Sequence, residues 1–161
     1  MLYRNERGFS LLILIFALAV MGFLLAGFGQ VWRLQAQREK EVELLEIGRQ
    51  FSAALESYRK ATPSGNPDTP SSLSDLVEDK RFPYPVHHLR KLFRDPFTGL
   101  AEWKTRTMQN RIVGISSYSE RSGLRSTETL PPFVGIDNEH SQENRYCDWI
   151  FIRSQPKQYR H

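Results

Sequence analysis

Hydrophobic and polar positions divide the chain into three stretches of different period. From Phe9 to Gly29 run 21 residues of which only Ser10 has a polar side chain, and no charge occurs between Arg7 and Arg33. At about 1.5 Å per residue a helical run of this length covers roughly 31 Å, close to the ~30 Å of bilayer hydrocarbon. The pattern predicts a transmembrane helix over residues 9–31. Beyond it Leu44, Ile47, Phe51, Ala54 and Tyr58 recur at steps of three and four, with Arg49, Gln50, Glu56 and Arg59 on the opposite face. That period predicts an amphipathic helix over residues 32–61. The first of nine prolines is Pro63, so nothing interrupts a single helix from Phe9 to about Lys60,. The charged QREKEVE between the two halves reads as a solvated or partner-covered part of that helix.

ATPSGNPDTPSS, residues 61–72, ends the helix with turn-forming residues,. Ser72 to Glu78 predicts a short helical turn with Ser72 or Ser74 as N-cap. Pro83 and Pro85 then forbid regular structure, and the period changes to short strand-like pieces: Ala101–Arg106, Arg111–Tyr118 and Tyr146–Arg153,. In the last, Cys147, Trp149 and Phe151 fall on one side and Asp148, Ile150 and Ile152 on the other. Residues 119–145 mix Ser, Gly, Pro, Asn and Glu and read as a long surface loop. The fold class expected is α+β: one long N-terminal helix, half transmembrane and half amphipathic, packed on a small antiparallel sheet.

Composition alters this picture little. The 22 Lys+Arg and 18 Asp+Glu divide evenly, 8 against 6 in residues 1–61 and 14 against 12 in residues 62–161, so the excess is not concentrated. A lone cysteine, Cys147, excludes an intrachain disulfide,. Ala17-Leu18-Ala19 and Ala26-Gly27 imitate a small-x-small export cleavage site, but a cleavable signal has a shorter apolar core,. Charge does not orient the segment: Arg4 and Arg7 lie before it, and Arg33, Arg38, Lys40 and Arg49 after it,.

Three constellations carry candidate chemistry. His87 and His88 adjoin Arg90, Lys91 and Arg94, with Phe93, Phe97 and Trp103 nearby, and cations interleaved with aromatics can hold single-stranded nucleic acid,. A basic turn whose aromatics enter the core is the simpler reading, so nucleic acid is not an expected partner. Asp137, Glu139, His140, Glu143 and Asp148 supply oxygen ligands without the spacing of a calcium loop, and no metal or other cofactor is expected,. Ser117, His140 and Asp148 form a triad only on paper, with no nucleophile motif around them, so catalysis is not expected,.

RGFSLLI, residues 7–13, places a basic residue, Gly, Phe and Ser before the apolar run. It resembles the cleavage signal of type IV pilins and type II secretion pseudopilins. The likeness extends over roughly residues 1–123. ALESYR (54–59), the Pro/Gly linker and SLSDLV (72–77) look like the helix end and short second helix of the major pseudopilin. HLRKLFRDPFTG (88–99) is similar to its Asp-Pro-aromatic turn, and Gly22 falls at the family's usual membrane-helix glycine. The resemblance implies a cytoplasmic leader of residues 1–8, removed after Gly8 by a prepilin peptidase, with N-methylation of Phe9. It further implies an inner-membrane helix and a periplasmic head, residues 62–161, with an extended C-terminal tail. Other pseudopilins and an inner-membrane assembly platform are the implied partners. Small positions Ala19, Gly22, Ala26 and Gly29 are candidates for close helix packing, or are merely lipid-facing.

Three departures stand out. The family usually has glutamate five residues into the mature chain, where this chain has Ile13. Gln30 replaces a frequent proline, and Ser116–Gly123 lacks the acidic calcium loop. A carboxylate in hydrocarbon is unfavourable by on the order of 3 kcal/mol, so a protein keeps one there only for a partner. In the family that partner is the methylated amine of a neighbouring subunit. The tip-forming minor pseudopilin also lacks the glutamate, so the resemblance implies a minor, tip or initiating subunit. A membrane-anchored exported binding module that does not polymerise, including a DNA-binding competence-type pilin, is the alternative. Ile13→Glu is expected to leave processing intact and to raise the fraction of the protein recovered in sheared or crosslinked filaments; an unchanged fraction would count against the role assigned to Ile13.

Overall fold

The computed structural model describes residues 7–137 and 144–153, apart from the side chains of residues 7, 8 and 25–28. Helix α1 (Arg7–Ala61) comes first, then α2 (Ser74–Val77), strands β1 (Lys104–Met108), β2 (Arg111–Ser116), β3 (Val134–Ile136) and β4 (Trp149–Ile152). Short 3₁₀ turns occupy Thr127–Thr129 and Tyr146–Asp148. The strands form one antiparallel sheet in the order β1-β2-β4-β3. The fold is therefore α+β, a long N-terminal helix with a small antiparallel sheet.

Internal contacts divide the chain into two units, with the boundary between Glu39 and Lys40. In the first, α1 is apolar and long enough to cross a membrane by length and composition. In the second, the stripe read from the sequence is the core: Leu44, Ile47, Phe51, Ala54 and Tyr58 are all buried, joined by Leu45 and Leu55. The sheet supplies Ile112, Ile115, Trp149 and Phe151 to the same cluster. Alternation in β4 is as expected, with Trp149 and Phe151 buried and Ile150 and Ile152 half-buried.

One close approach fixes how β4 meets the helix. A Cβ on Gly48 would lie 2.2 Å from Cδ1 and 2.3 Å from Cε1 of Phe151, so only glycine lets that ring rest on the helix backbone,. Around it the aromatics pack edge-on: Phe51 and Trp103 have ring centres 5.4 Å apart, and Tyr146 and Trp149 5.0 Å,.

Several sequence expectations are corrected. The cap of α2 is neither Ser72 nor Ser74. Leu73 holds that place with helical dihedrals, and the free N–H groups of Ser71 and Ser72 go instead to the Asp75 carboxylate, each at 3.0 Å. The first strand starts three residues later than expected, at Lys104, and runs to Met108. Residues 119–145 are not all loop, because Val134–Ile136 pairs with β4 at the sheet edge. A three-residue strand is too short to announce itself by alternation. Residues 146–148 form a 3₁₀ turn rather than the start of β4. The QREKEVE stretch is not wholly solvated, since Glu41 is 3% exposed.

Gly48→Ala is expected to destabilise the head by about 1–3 kcal/mol, the usual penalty for overpacking, less up to ~1 kcal/mol of improved helix propensity. Chemical denaturation of the full chain followed by tryptophan fluorescence measures it. Gly22→Ala, whose added Cβ meets nothing within 4 Å, is the matched control and should leave the midpoint unchanged.

Candidate functional site

The residues implied in processing and assembly lie on the first unit of α1. The Gly8–Phe9 bond lies at the start of the described part of the helix. Phe9 is 69% exposed and Ile13 53%. Residues 9–24 and 29–36 are all exposed.

Helical spacing separates the candidates into two groups. At about 100° per residue, positions 19, 22, 26 and 29 fall in one stripe, and Ile13 falls roughly 160° away from its centre. Ala19 is exposed, and a Cβ on Gly22 or Gly29 would meet nothing within 4 Å. Ala26 occupies its helix position in the stripe, but its side chain lies outside the described residues. The structure thus brings Ala19, Gly22 and Gly29 onto one side and leaves Ile13 on the other.

The head's polar chemistry is concentrated at three buried carboxylates. Asp79, 1% exposed, receives the Arg81 guanidinium through Nε at 2.9 Å and Nη2 at 2.6 Å, and the Arg81 backbone N–H at 3.0 Å. The same guanidinium donates to the Thr62 hydroxyl (2.7 Å) and the Tyr58 carbonyl (3.3 Å), and stacks 3.6 Å over the Tyr58 ring. Arg81 is therefore a cation at the C-terminal end of α1, where free carbonyls and the helix dipole favour one. On its other side Asp79 faces His88 Nε2 at 3.2 Å, and His88 Nδ1 lies 2.8 Å from the Ser57 hydroxyl. An ionised carboxylate only accepts, so Nε2 carries the proton in this bond.

Ser57, His88 and Asp79 stand in hydrolase order, but the surroundings do not suit acyl transfer. Ser57 sits inside α1, whose nearby N–H groups bond within the helix and cannot form an oxyanion hole,. Asp79 is already committed to Arg81. The arrangement fixes the 79–88 loop to the helix end.

Asp95 is fully buried and accepts from the Ser117 hydroxyl (2.6 Å) and the Phe97 N–H (2.8 Å). This closes the Asp-Pro-aromatic turn, in which Gly99 takes a left-handed φ of 75°. Glu41 accepts from the Tyr146 hydroxyl and the Leu124 N–H, each at 2.8 Å, and pairs with Arg125 at 3.3 Å.

The remaining sequence candidates are dispersed. Trp103 is buried and Phe93 and Phe97 pack half-buried against the core, while Arg90, Lys91 and Arg94 are exposed; of these cations Lys91 lies 5.6 Å from the centre of the Phe93 ring. Ser117 is bonded to Asp95, Asp148 lies on the 3₁₀ turn, and His140 is outside the described residues, as are Glu139 and Glu143. Asp137 pairs with Arg106 at 2.8 Å. Among the described residues no group of three or more metal-ligating side chains occurs. Glu41 and Gly48 were missed by the sequence reading. Their signal was positional, because 41, 44, 48, 51, 55 and 58 follow one heptad-like stripe in which a charge and a glycine are out of place. Comparison of the chain with protein-family models, with curated proteins and with solved structures finds no match.

Burial alone would push the Asp79 carboxyl up, but hydrogen bonds from the Arg81 side chain and backbone and from His88 outweigh it and hold it at about 2, below its usual 3.8. A depressed carboxylate contributes stability that is complete above its unfolded value and lost as pH falls through its folded one. The shift corresponds to about 2 kcal/mol. Stability of the head is expected to be level above pH ~4 and to fall between pH ~4 and ~2, and Asp79→Asn should lower it at neutral pH and flatten that limb. Denaturation midpoints across pH 2–7 for both proteins check this.

Proposed function

We propose that the chain is a structural subunit of a type II secretion or type IV pilus-like machine, a pseudopilin processed after Gly8 and N-methylated at Phe9. In this reading the helix anchors the protein once in the inner membrane, N-terminus cytoplasmic and head periplasmic. The subunit then assembles with other pseudopilins at an inner-membrane platform. Its role is mechanical, without catalysis or cofactor.

One observation supports it above the rest. A single helix, Arg7–Ala61, has an exposed apolar first half and a second half whose apolar stripe is the core of a small domain. Such a helix offers a continuous apolar surface to neighbours or lipid while carrying a folded head. The Arg-Gly-Phe-Ser sequence at its first turn, with Phe9 exposed, suits cleavage and modification of a new terminus. Ile13 can neither donate nor accept charge, which favours a minor, tip or initiating position over one repeated along a shaft.

The rival is an anchored exported binding module that never polymerises, and the two part at Gly8. Mass spectrometry of the protein from cells with an active prepilin peptidase is expected to find a chain beginning at N-methyl-Phe9. An unprocessed N-terminus under those conditions would favour the simple anchor.

A further inference from the structure

The most open chemistry in the head lies around Arg111, where two clefts meet. One, of ~520 Å³, has an apolar wall of Leu55, Met108, Ile112, Val113 and Ile152. The other, of ~510 Å³, is polar and contains Tyr58, Lys80 and Asp75. Arg111 and Pro67 line both. Each volume is in the range of small-ligand sites.

The cations divide into engaged and available ones. Arg81 is held by Asp79, and Arg153 pairs with Asp68 at 3.5 Å. The Arg111 guanidinium makes one hydrogen bond to a described residue, Nη1 to the Thr69 carbonyl at 3.2 Å, which leaves most of its N–H donors free,. Tyr58 also lines the polar cleft, and its hydroxyl bonds to no described residue. Of the nearby carboxylates, Asp79 is bonded to Arg81 and His88, and Asp75 accepts from Ser71 and Ser72 through one oxygen. A guanidinium fork beside a hydroxyl donor suits a carboxylate in two-point contact.

The backbone here is irregular in a way that serves the cleft. The β1–β2 connection places Gln109 and Asn110 at φ of 50° and 61°, both left-handed and neither a glycine. A register shift opposite Arg106 and Thr107 leaves Val113 as an extra residue of β2. Bulges re-aim side chains, and Gln109 and Val113 both line the apolar cleft,.

We propose that this double cleft binds the free C-terminus of a peptide segment ending in an apolar residue, with its carboxylate on Arg111 and Tyr58 and its last side chain against Met108, Val113 and Ile152. The site belongs to the head alone and does not depend on the processing or assembly of the helix.

Isothermal titration of the full chain in nanodiscs with an acetylated tetrapeptide ending in leucine tests it. The free-acid peptide is expected to bind, and its C-terminal amide to bind at least tenfold more weakly. Arg111→Gln, which keeps a donor for Thr69, should abolish the preference for the acid. Met108→Asp, at a rim position 66% exposed, should weaken binding at least threefold without shifting the denaturation midpoint. No binding of the free acid, equal binding of acid and amide, or an unchanged preference in Arg111→Gln would overturn the assignment. So would hexanoate binding as tightly as the peptide, which would make the ligand a small apolar acid rather than a chain end.

Discussion

The contact of Phe151 with the backbone of α1 at Gly48 is the constraint on which the head depends. Strand β4 is paired on both sides, with β2 and with β3, so its distance from the helix sets that of the whole sheet. With any larger residue at position 48 the ring would stand off. Trp149 and Phe151, both fully buried now, would then leave space in the core they share with Leu44 and Phe51. Interiors pack at crystal-like density, so a displacement there is felt across the sheet.

Regular structure holds only part of the head, and the rest is held by buried carboxylates. Between Thr62 and Glu102 there is one short helix, and among the described residues between Ser117 and Asp148 two 3₁₀ turns and a three-residue strand. Such segments have many backbone N–H groups with no ladder to join. Asp79 ties the 79–88 loop to the end of α1, Asp95 ties its own turn to Ser117, and Glu41 ties Leu124 and Tyr146 to the helix. Each charge is surrounded by donors, the condition under which burying one is tolerable. No buried side-chain N or O among the described residues lacks a partner.

These two devices explain what could and could not be read from the sequence. Periodic features were legible, because burial of a helix stripe or a strand face imposes its own spacing: Leu44 to Tyr58 and the alternation of Trp149 to Ile152 are examples. The Asp-Pro-aromatic turn was legible through likeness to a family. Long-range pairings were not. Glu41 meets Tyr146 and Asp95 meets Ser117 across distances along the chain that no local pattern encodes. In residues 87–103 the simpler reading, a basic turn whose aromatics enter the core, agrees with the packing of Trp103, Phe93 and Phe97. At the N-terminus the processing proposed at Gly8 and Phe9 comes from resemblance alone, because a glycine and a phenylalanine before an apolar run have no distinctive physics of their own.

The first unit of α1 obeys a different rule from the second. In the head, one stripe of the helix is buried and the opposite face is charged, so each position has a fixed role. From Phe9 to Leu24 every residue is exposed, and apolar character runs around the helix rather than along one side. Hydrophobicity therefore cannot distinguish faces there, and only shape and charge can. The stripe of Ala19, Gly22, Ala26 and Gly29 differs in shape, and Ile13, nearly opposite it, differs from the family's glutamate in charge. Because they lie on different sides, close helix packing through the stripe does not require a carboxylate at position 13. In the proposed assembly, isoleucine at position 13 leaves the small-residue stripe intact, so the helix can join a neighbour by shape while making no ion pair through that position.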